Sequence, residues 1–205
     1  EYAMSATRFS IPIPQRDIAI EEMGKGKFNG SVSMIKIDPK DGKMSVELQM
    51  LAPAFSYDLS RCGKGPSHDW CFFSTYNTEQ AFQMIEVGAS KNDKDYVMAF
   101  NWVKAKACKD AGKAKDFSGV YYHNYMPENA PAVAERMSGV KLLDPKDCPG
   151  VAYFLPTPKS PHGADVDPSG EYIAAGGKLA SVVAVHSYSK LIKAIEDKAN
   201  FTGEV

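Results

Sequence analysis

No apolar run in the chain approaches the ~20 residues needed to cross a bilayer as a helix, and stretches such as 180–186 stop far short of it. A membrane span is excluded on that ground. Neither sign of charge dominates, because 24 basic residues stand among 25 acidic ones for a formal charge of −1, which leaves no concentrated field for a polyanion or a membrane surface. Nucleic acid is not an expected partner. The first residues, Glu1-Tyr-Ala-Met-Ser, have neither an initiating methionine nor the charged-then-apolar layout of a secretory signal, so they do not report the compartment. The beginning of the gene product is expected to lie upstream. There is no Cys-x-x-Cys pair of the zinc or redox kind, and with no nucleophile motif and no convincingly paired catalytic carboxylates a sugar- or peptide-hydrolysing reading has little support.

What the chain does contain is enough apolar material for a sizeable core: 44% of 205 residues are hydrophobic at a mean hydropathy of −0.31, the composition of one soluble globular domain. Four cysteines, Cys62, Cys71, Cys108 and Cys148, are spaced 9, 37 and 40 apart. Each reads first as an ordinary small residue rather than a ligand. In an oxidising compartment Cys62 and Cys71 can pair.

Short β-branched and aromatic runs recur between Gly, Pro, Asp and Asn clusters, the pattern of an all-β fold with many turns. Strands are predicted at 31–37, 44–51, 70–76, 96–101, 140–143, 151–155, 172–175 and 181–186. Asp38-Pro-Lys-Asp-Gly42 supplies the restricted and positive φ values of a tight reversal, so the first two strands pair. Residues 164–185 combine a strand, a Pro168-Ser-Gly170 turn and two further strands, which is the form of one propeller blade. Helical periodicity interrupts the β pattern at 102–113 and at 187–198, where Leu191, Ile192 and Ile195 share a face and Ser187 or Ser189 caps the start. The irregular stretch 108–135 reads as a surface excursion. No exact internal repeat is present.

His162 carries the first chemical signal. It stands in Lys159-Ser-Pro-His-Gly-Ala-Asp-Val-Asp-Pro-Ser-Gly170, after a proline and before a strand, so its imidazole is presented from a strand start, where a propeller collects metal ligands around its channel. The alternative is a histidine hydrogen-bonded to a neighbouring turn. With Glu171-Tyr-Ile and Gly176-Gly-Lys-Leu-Ala180, this segment resembles the copper-ligand segment of the nitrous oxide reductases, in which a Pro-His-Gly histidine binds a tetranuclear copper-sulfide centre. His162 matches that ligand.

A second resemblance lies at Trp70-Cys-Phe-Phe-Ser-Thr-Tyr-Asn-Thr-Glu79 and Lys91-Asn-Asp-Lys-Asp-Tyr96. There Tyr76, Glu79 and Asp95 match the family's structural calcium site, oxygen donors that suit a hard cation. Read alone, Glu79 and Asp95 are solvated acids. The family's calcium also takes an oxygen two residues before the ligand histidine, here Ser160, where other members often carry asparagine. Tyr121-Tyr-His-Asn124 and Tyr153-Phe-Leu-Pro-Thr-Pro-Lys-Ser-Pro-His-Gly163 resemble the subgroup of non-proteobacterial denitrifiers. Tyr2 to Pro14 resemble the strand and loop that follow another copper ligand.

The resemblance covers nearly the whole chain and is strongest over 70–198. It implies about three blades of a seven-bladed β-propeller with two helical insertions, the whole of 1–205 being part of that domain. It implies two-electron reduction of nitrous oxide to dinitrogen and water, outside the cytoplasm, in a homodimer supplied by a c-type cytochrome or cupredoxin. Electron entry would be at a dinuclear copper centre in a separate cupredoxin-like domain, whose Cys-x3-Cys motif is absent from these residues. Only one of the centre's seven histidine ligands is matched, so the chain alone is expected to be inactive. Lys178 is the basic residue nearest the ligand segment, placed to stabilise charge on the N2O oxygen or simply to occupy a turn. His68, His123 and His186 match no ligand and read as surface or hydrogen-bonded residues. A reading from another class is a non-catalytic, calcium-binding propeller scaffold.

Overall fold

The computed structural model describes residues 2–6, 30–52, 57–75, 95–116, 139–196 and 203–204. Three sheets account for its β-structure. The first contains β1 (Tyr2–Ala6), β2 (Gly30–Ile37), β3 (Met44–Ala52), β7 (Lys115–Asp116) and β8 (Lys141–Leu143), in the order β1-β2-β3-β8-β7. The second holds β4 (Tyr57–Cys62), β5 (Trp70–Thr75), β6 (Asp95–Asn101), β9 (Ala152–Thr157) and β13 (Gly203–Glu204), in the order β13-β9-β6-β5-β4. The third is β10 (Pro161–Val166), β11 (Tyr172–Gly177) and β12 (Val183–Ser187). The helices are α1 (Trp102–Asp110) and α2 (Tyr188–Glu196). The all-β reading with two helical insertions is therefore met among the described residues.

The β2–β3 reversal forms as its sequence dictates. Gly42 takes φ +72 and donates its N–H to the Asp38 carbonyl at 2.9 Å, while the Asp38 carboxylate accepts from Lys40 N–H at 2.8 Å. The pairing is mainly antiparallel, but β3 with β8 and β9 with β13 run parallel, joins that sequence periodicity does not encode.

Packing explains why some strands lack alternating polarity. In the middle sheet Cys71, Phe73, Met98, Phe100 and Phe154 face Val32, Met34, Leu48 and Met50 of the first sheet. Their neighbours Phe72, Val97, Ala99, Tyr153 and Leu155 turn the other way, onto Ala164, Val166, Ile173 and Ala175 of the third sheet and Leu191 and Ile195 of α2. Three sheets thus stack face to face, and the middle one buries both faces, so β5 is apolar at successive positions rather than at every second one. Each fully buried Phe or Met contributes about 1.5–3 kcal/mol. The first strand of each sheet in chain order, β1, β4 and β10, is also an edge strand, and β4 of the middle sheet neighbours both β1 and β10.

The helices stop and start on local signals. Asn101 Oδ1 accepts from Lys104 N–H at 2.8 Å, and α1 ends at Asp110, ahead of the expected 113, because Gly112 at φ +76 turns the chain out. Ser187 Oγ caps α2 by accepting from Lys190 N–H at 3.2 Å. Residues 197–198 of the predicted second helix, 117–135 of the surface excursion and 7–14 of the N-terminal segment lie outside the described residues.

Two disulfides are present: Cys62–Cys71 across β4 and β5, and Cys108–Cys148 between α1 and the turn before β9. The first pairing was open from the sequence. The second corrects the reading of Cys108 and Cys148 as ordinary small residues, since the helix cap at Asn101 sets the direction that carries Cys108 to its partner.

Candidate metal centre

His162 sits where β10 departs from regular pairing. Its register against β11 shifts between Pro161 and Ala164, so His162 and Gly163 form a bulge, a device that redirects a side chain out of the pleat. Gly163 takes φ +107, which a side chain rarely adopts. The opposing element is β4, whose register against β5 shifts between Tyr57 and Ser60 and so displaces Asp58 in turn. The two irregularities meet: His162 Nδ1 is hydrogen-bonded to Asp58 Oδ2. The imidazole is 55% exposed, whereas the Asp58 side chain is 1% exposed.

Two further contacts hold the strands in this relation. Ser74 Oγ accepts from Gly163 N–H at 2.9 Å and donates to the Leu59 carbonyl at 3.4 Å, bridging the two bulges from β5. Arg61 Nε donates to Asp165 Oδ1 at 3.0 Å, an exposed pair of small energetic weight.

Immediately before the bulge, Ser160 adopts φ 54, the left-handed region, and is fully buried. Its N–H donates to Asp95 Oδ2 at 2.6 Å, and Asp95 itself is 1% exposed. Ser160 Oγ is buried without a hydrogen-bond partner among the described residues. A buried carboxylate beside a buried hydroxyl offers hard oxygen donors, the chemistry calcium takes. Asp95 and Ser160 are therefore brought together, while Tyr76 and Glu79 lie outside the described residues. Among the described residues, no three His, Cys, Asp or Glu side chains converge on one point.

Lys178 is exposed, and its backbone N–H donates to the Ser160 carbonyl at 3.0 Å, which ties the turn after β11 to the loop before His162. His68 lies on the surface against Asp69 at 3.1 Å, its carbonyl accepting from Trp102 Nε1. His186 is half-buried in β12, and burial holds its imidazole below the ordinary range. His123 lies outside the described residues. Asp58 and Ser74 were missed from sequence, because a contact spanning 104 residues leaves no spacing to read.

The groups present, one imidazole and the paired oxygens of Asp95 and Ser160, are of the chemical kinds that copper and calcium take. A half-exposed imidazole whose second nitrogen meets a buried carboxylate has the arrangement of ligating histidines, and imidazole suits copper.

No family model matches the chain. Over all 205 residues it is 25% identical to a nitrous-oxide reductase of Pseudomonas fluorescens, of which it spans 28%. Over 116 residues, 57% of the chain, it is 31% identical to a nitrous-oxide reductase of Stutzerimonas stutzeri, of which that stretch is 16%. The chain is thus similar from end to end to part of a nitrous-oxide reductase and spans well under a third of that relative's length.

Proposed function

We propose that the chain is part of the propeller of a copper-dependent nitrous oxide reductase, about three blades of a seven-bladed ring, and that His162 gives one imidazole to its copper-sulfide centre. The observation that carries this reading is the bulge at His162, which aims a half-exposed imidazole from the edge strand β10 beside β4. Three stacked sheets with their first strands at edges, β4 beside both β1 and β10, are what neighbouring blades would present to a channel. When bound, the centre supplies the electrons and metal positions for N2O + 2 H⁺ + 2 e⁻ → N2 + H2O.

The chain's own residues hold and orient. His162 binds copper, Asp95 and Ser160 take calcium together with Tyr76 and Glu79, and calcium stiffens the loop that carries His162. Lys178, fastened to that loop through the Ser160 carbonyl, brings a cation close to the oxygen of N2O. Electrons come from a c-type cytochrome or a cupredoxin through a dinuclear copper centre in another domain, and the protein works as a homodimer. Two disulfides support a place outside the cytoplasm, in the periplasm or its equivalent. By itself the chain neither assembles the centre nor reduces N2O, because one matching imidazole cannot hold four coppers.

The test uses the full-length protein that carries this sequence, compared with its His162→Ala variant. Copper content and N2O-dependent oxidation of a reduced dye are measured; both should fall sharply in the variant. Unchanged copper and turnover would remove His162 from the site. The second reading, a calcium-binding scaffold without copper, rests on the buried Ser160 hydroxyl beside Asp95. Full-length protein that holds calcium but no copper after loading with both would favour it.

A further inference from the structure

Asp58 is in an unusual position for a carboxylate. Its side chain is 1% exposed at the edge of the middle sheet, where a charge is costly unless hydrogen-bonded and paired. It reaches that position only because β4 leaves its register between Tyr57 and Ser60, and it meets a histidine that leaves the register of β10 in the same way. Ser74 fixes the relation by bridging the backbones next to both residues, accepting from Gly163 N–H and donating to the Leu59 carbonyl. Two bulges and a bridging hydroxyl therefore converge on one imidazole–carboxylate contact, in sheets that share no ladder.

From this convergence we propose that Asp58 is the positioning residue of His162: it accepts a hydrogen bond from Nδ1–H, fixes that tautomer and the ring's orientation, and assigns metal ligation to Nε2. The proposal rests on the reading of His162 as a copper ligand. A neutral imidazole carries one proton, and the unconstrained histidine side chain prefers it on Nε2, the nitrogen that must be bare to bind a metal from this side. A carboxylate at Nδ1 reverses the preference and raises the basicity of the ligating nitrogen. Asparagine at 58 would keep an acceptor oxygen of nearly the same shape without the charge; alanine would remove both.

A purely structural contact fastening β4 to β10 predicts a loss of stability in the variants and nothing more. Tautomer and metal affinity separate the two. The full-length protein is prepared metal-free with ¹⁵N-labelled histidine, and the His162 signals are assigned by their absence from His162→Ala. The Nδ1–H form should dominate in the wild type and in Asp58→Asn, and the Nε2–H form in Asp58→Ala. In a copper titration, Asp58→Ala should weaken binding by about 10–100-fold and Asp58→Asn by less than about tenfold. An Nε2–H tautomer in the wild type, or an unchanged tautomer in Asp58→Ala, overturns the proposal. So does a copper affinity in Asp58→Ala equal to that of the wild type. Failure of the wild type to bind copper at all, with the tautomers as expected, instead removes the copper reading and leaves Asp58 as the residue that sets the ring. Asp58→Asn, which keeps the shape of the side chain and its acceptor oxygen, provides the check on folding: a folded variant with the Nδ1–H form retained shows that the tautomer change in Asp58→Ala comes from the lost acceptor and not from general unfolding.

Discussion

Asp95 accepts the Ser160 backbone N–H at 2.6 Å with both residues fully buried, so a carboxylate of β6 fixes the turn that leads into β10. Removing it leaves that N–H unsatisfied in the interior. Asp95→Ala should cost roughly 2–4 kcal/mol, and Asp95→Asn less, because an amide oxygen still accepts the bond. Urea unfolding measures the difference. Added calcium should raise the midpoint of the wild type and leave that of Asp95→Ala where it was.

The left-handed backbone at Ser160 makes a separate expectation. A side chain there costs about 1–2 kcal/mol, least for asparagine and glycine. Ser160→Asn should fold at or near wild-type stability, whereas Ser160→Ile, β-branched and buried, should lose more than about 2 kcal/mol in the same unfolding assay.

Gly163 has no such tolerance. Leu59 Cβ, 3.5 Å from where a methyl would go, would be an ordinary neighbour, but at φ +107 any side chain is strained, so Gly163→Ala must shift the backbone of the bulge. The expected loss is roughly 1–2 kcal/mol, with copper retention in the full-length protein falling together with it. Copper held at the wild-type level, measured by elemental analysis, would detach the bulge from the site.

The disulfides differ in loop length, 9 residues apart for Cys62–Cys71 and 40 for Cys108–Cys148. Chain-entropy arithmetic gives about 2.5 kcal/mol for the shorter and about 4 kcal/mol for the longer. Cys108→Ala with Cys148→Ala should therefore lower stability more than the corresponding pair at 62 and 71. Amide exchange should quicken first in α1, which buries only Ala105 and Cys108.

Asp167 organises the turn between β10 and β11. The Ser169 hydroxyl, and the N–H groups of Tyr172 and Ser169, hold its pKa at about 2, below the ordinary 3.8. Because the folded value is the lower one, the stability it contributes is present above pH 3.8 and is lost as pH falls toward 2. Asp167→Asn should flatten the acid limb of stability in that window, and an unaltered limb would show that the turn does not govern it.

Most of the long strands were legible because turn residues bound them and because β-branched and aromatic residues fill them, whereas β4, whose Tyr57-Asp-Leu-Ser-Arg-Cys62 is polar at alternate and successive positions, was not expected. The blade-like unit of β10, β11 and β12 was legible for the same reason, and so was the Ser187 cap. Pairing between distant strands was not: β8 joins β3 in parallel, and no local pattern announces a partner so far away in the chain. The site divided along the same line. His162 could be singled out by its place between Pro161 and Gly163, and Asp95 and Ser160, both singled out from the sequence, lie against each other. Asp58 carried no signal, since its meaning arises only where two bulges from separate sheets come together.

The middle sheet, closed in by the other two, has a cost during biogenesis. Stretches such as Trp70–Thr75 and 96–100 carry no charge and no proline, so nothing in them opposes edge-to-edge association when they are bare. Before the flanking sheets close over it, the chain is a candidate for aggregation, and the interval is prolonged by the need to join strands far apart in sequence. Production in a reducing compartment, where neither disulfide forms, should therefore yield insoluble protein, and oxidising conditions should recover it.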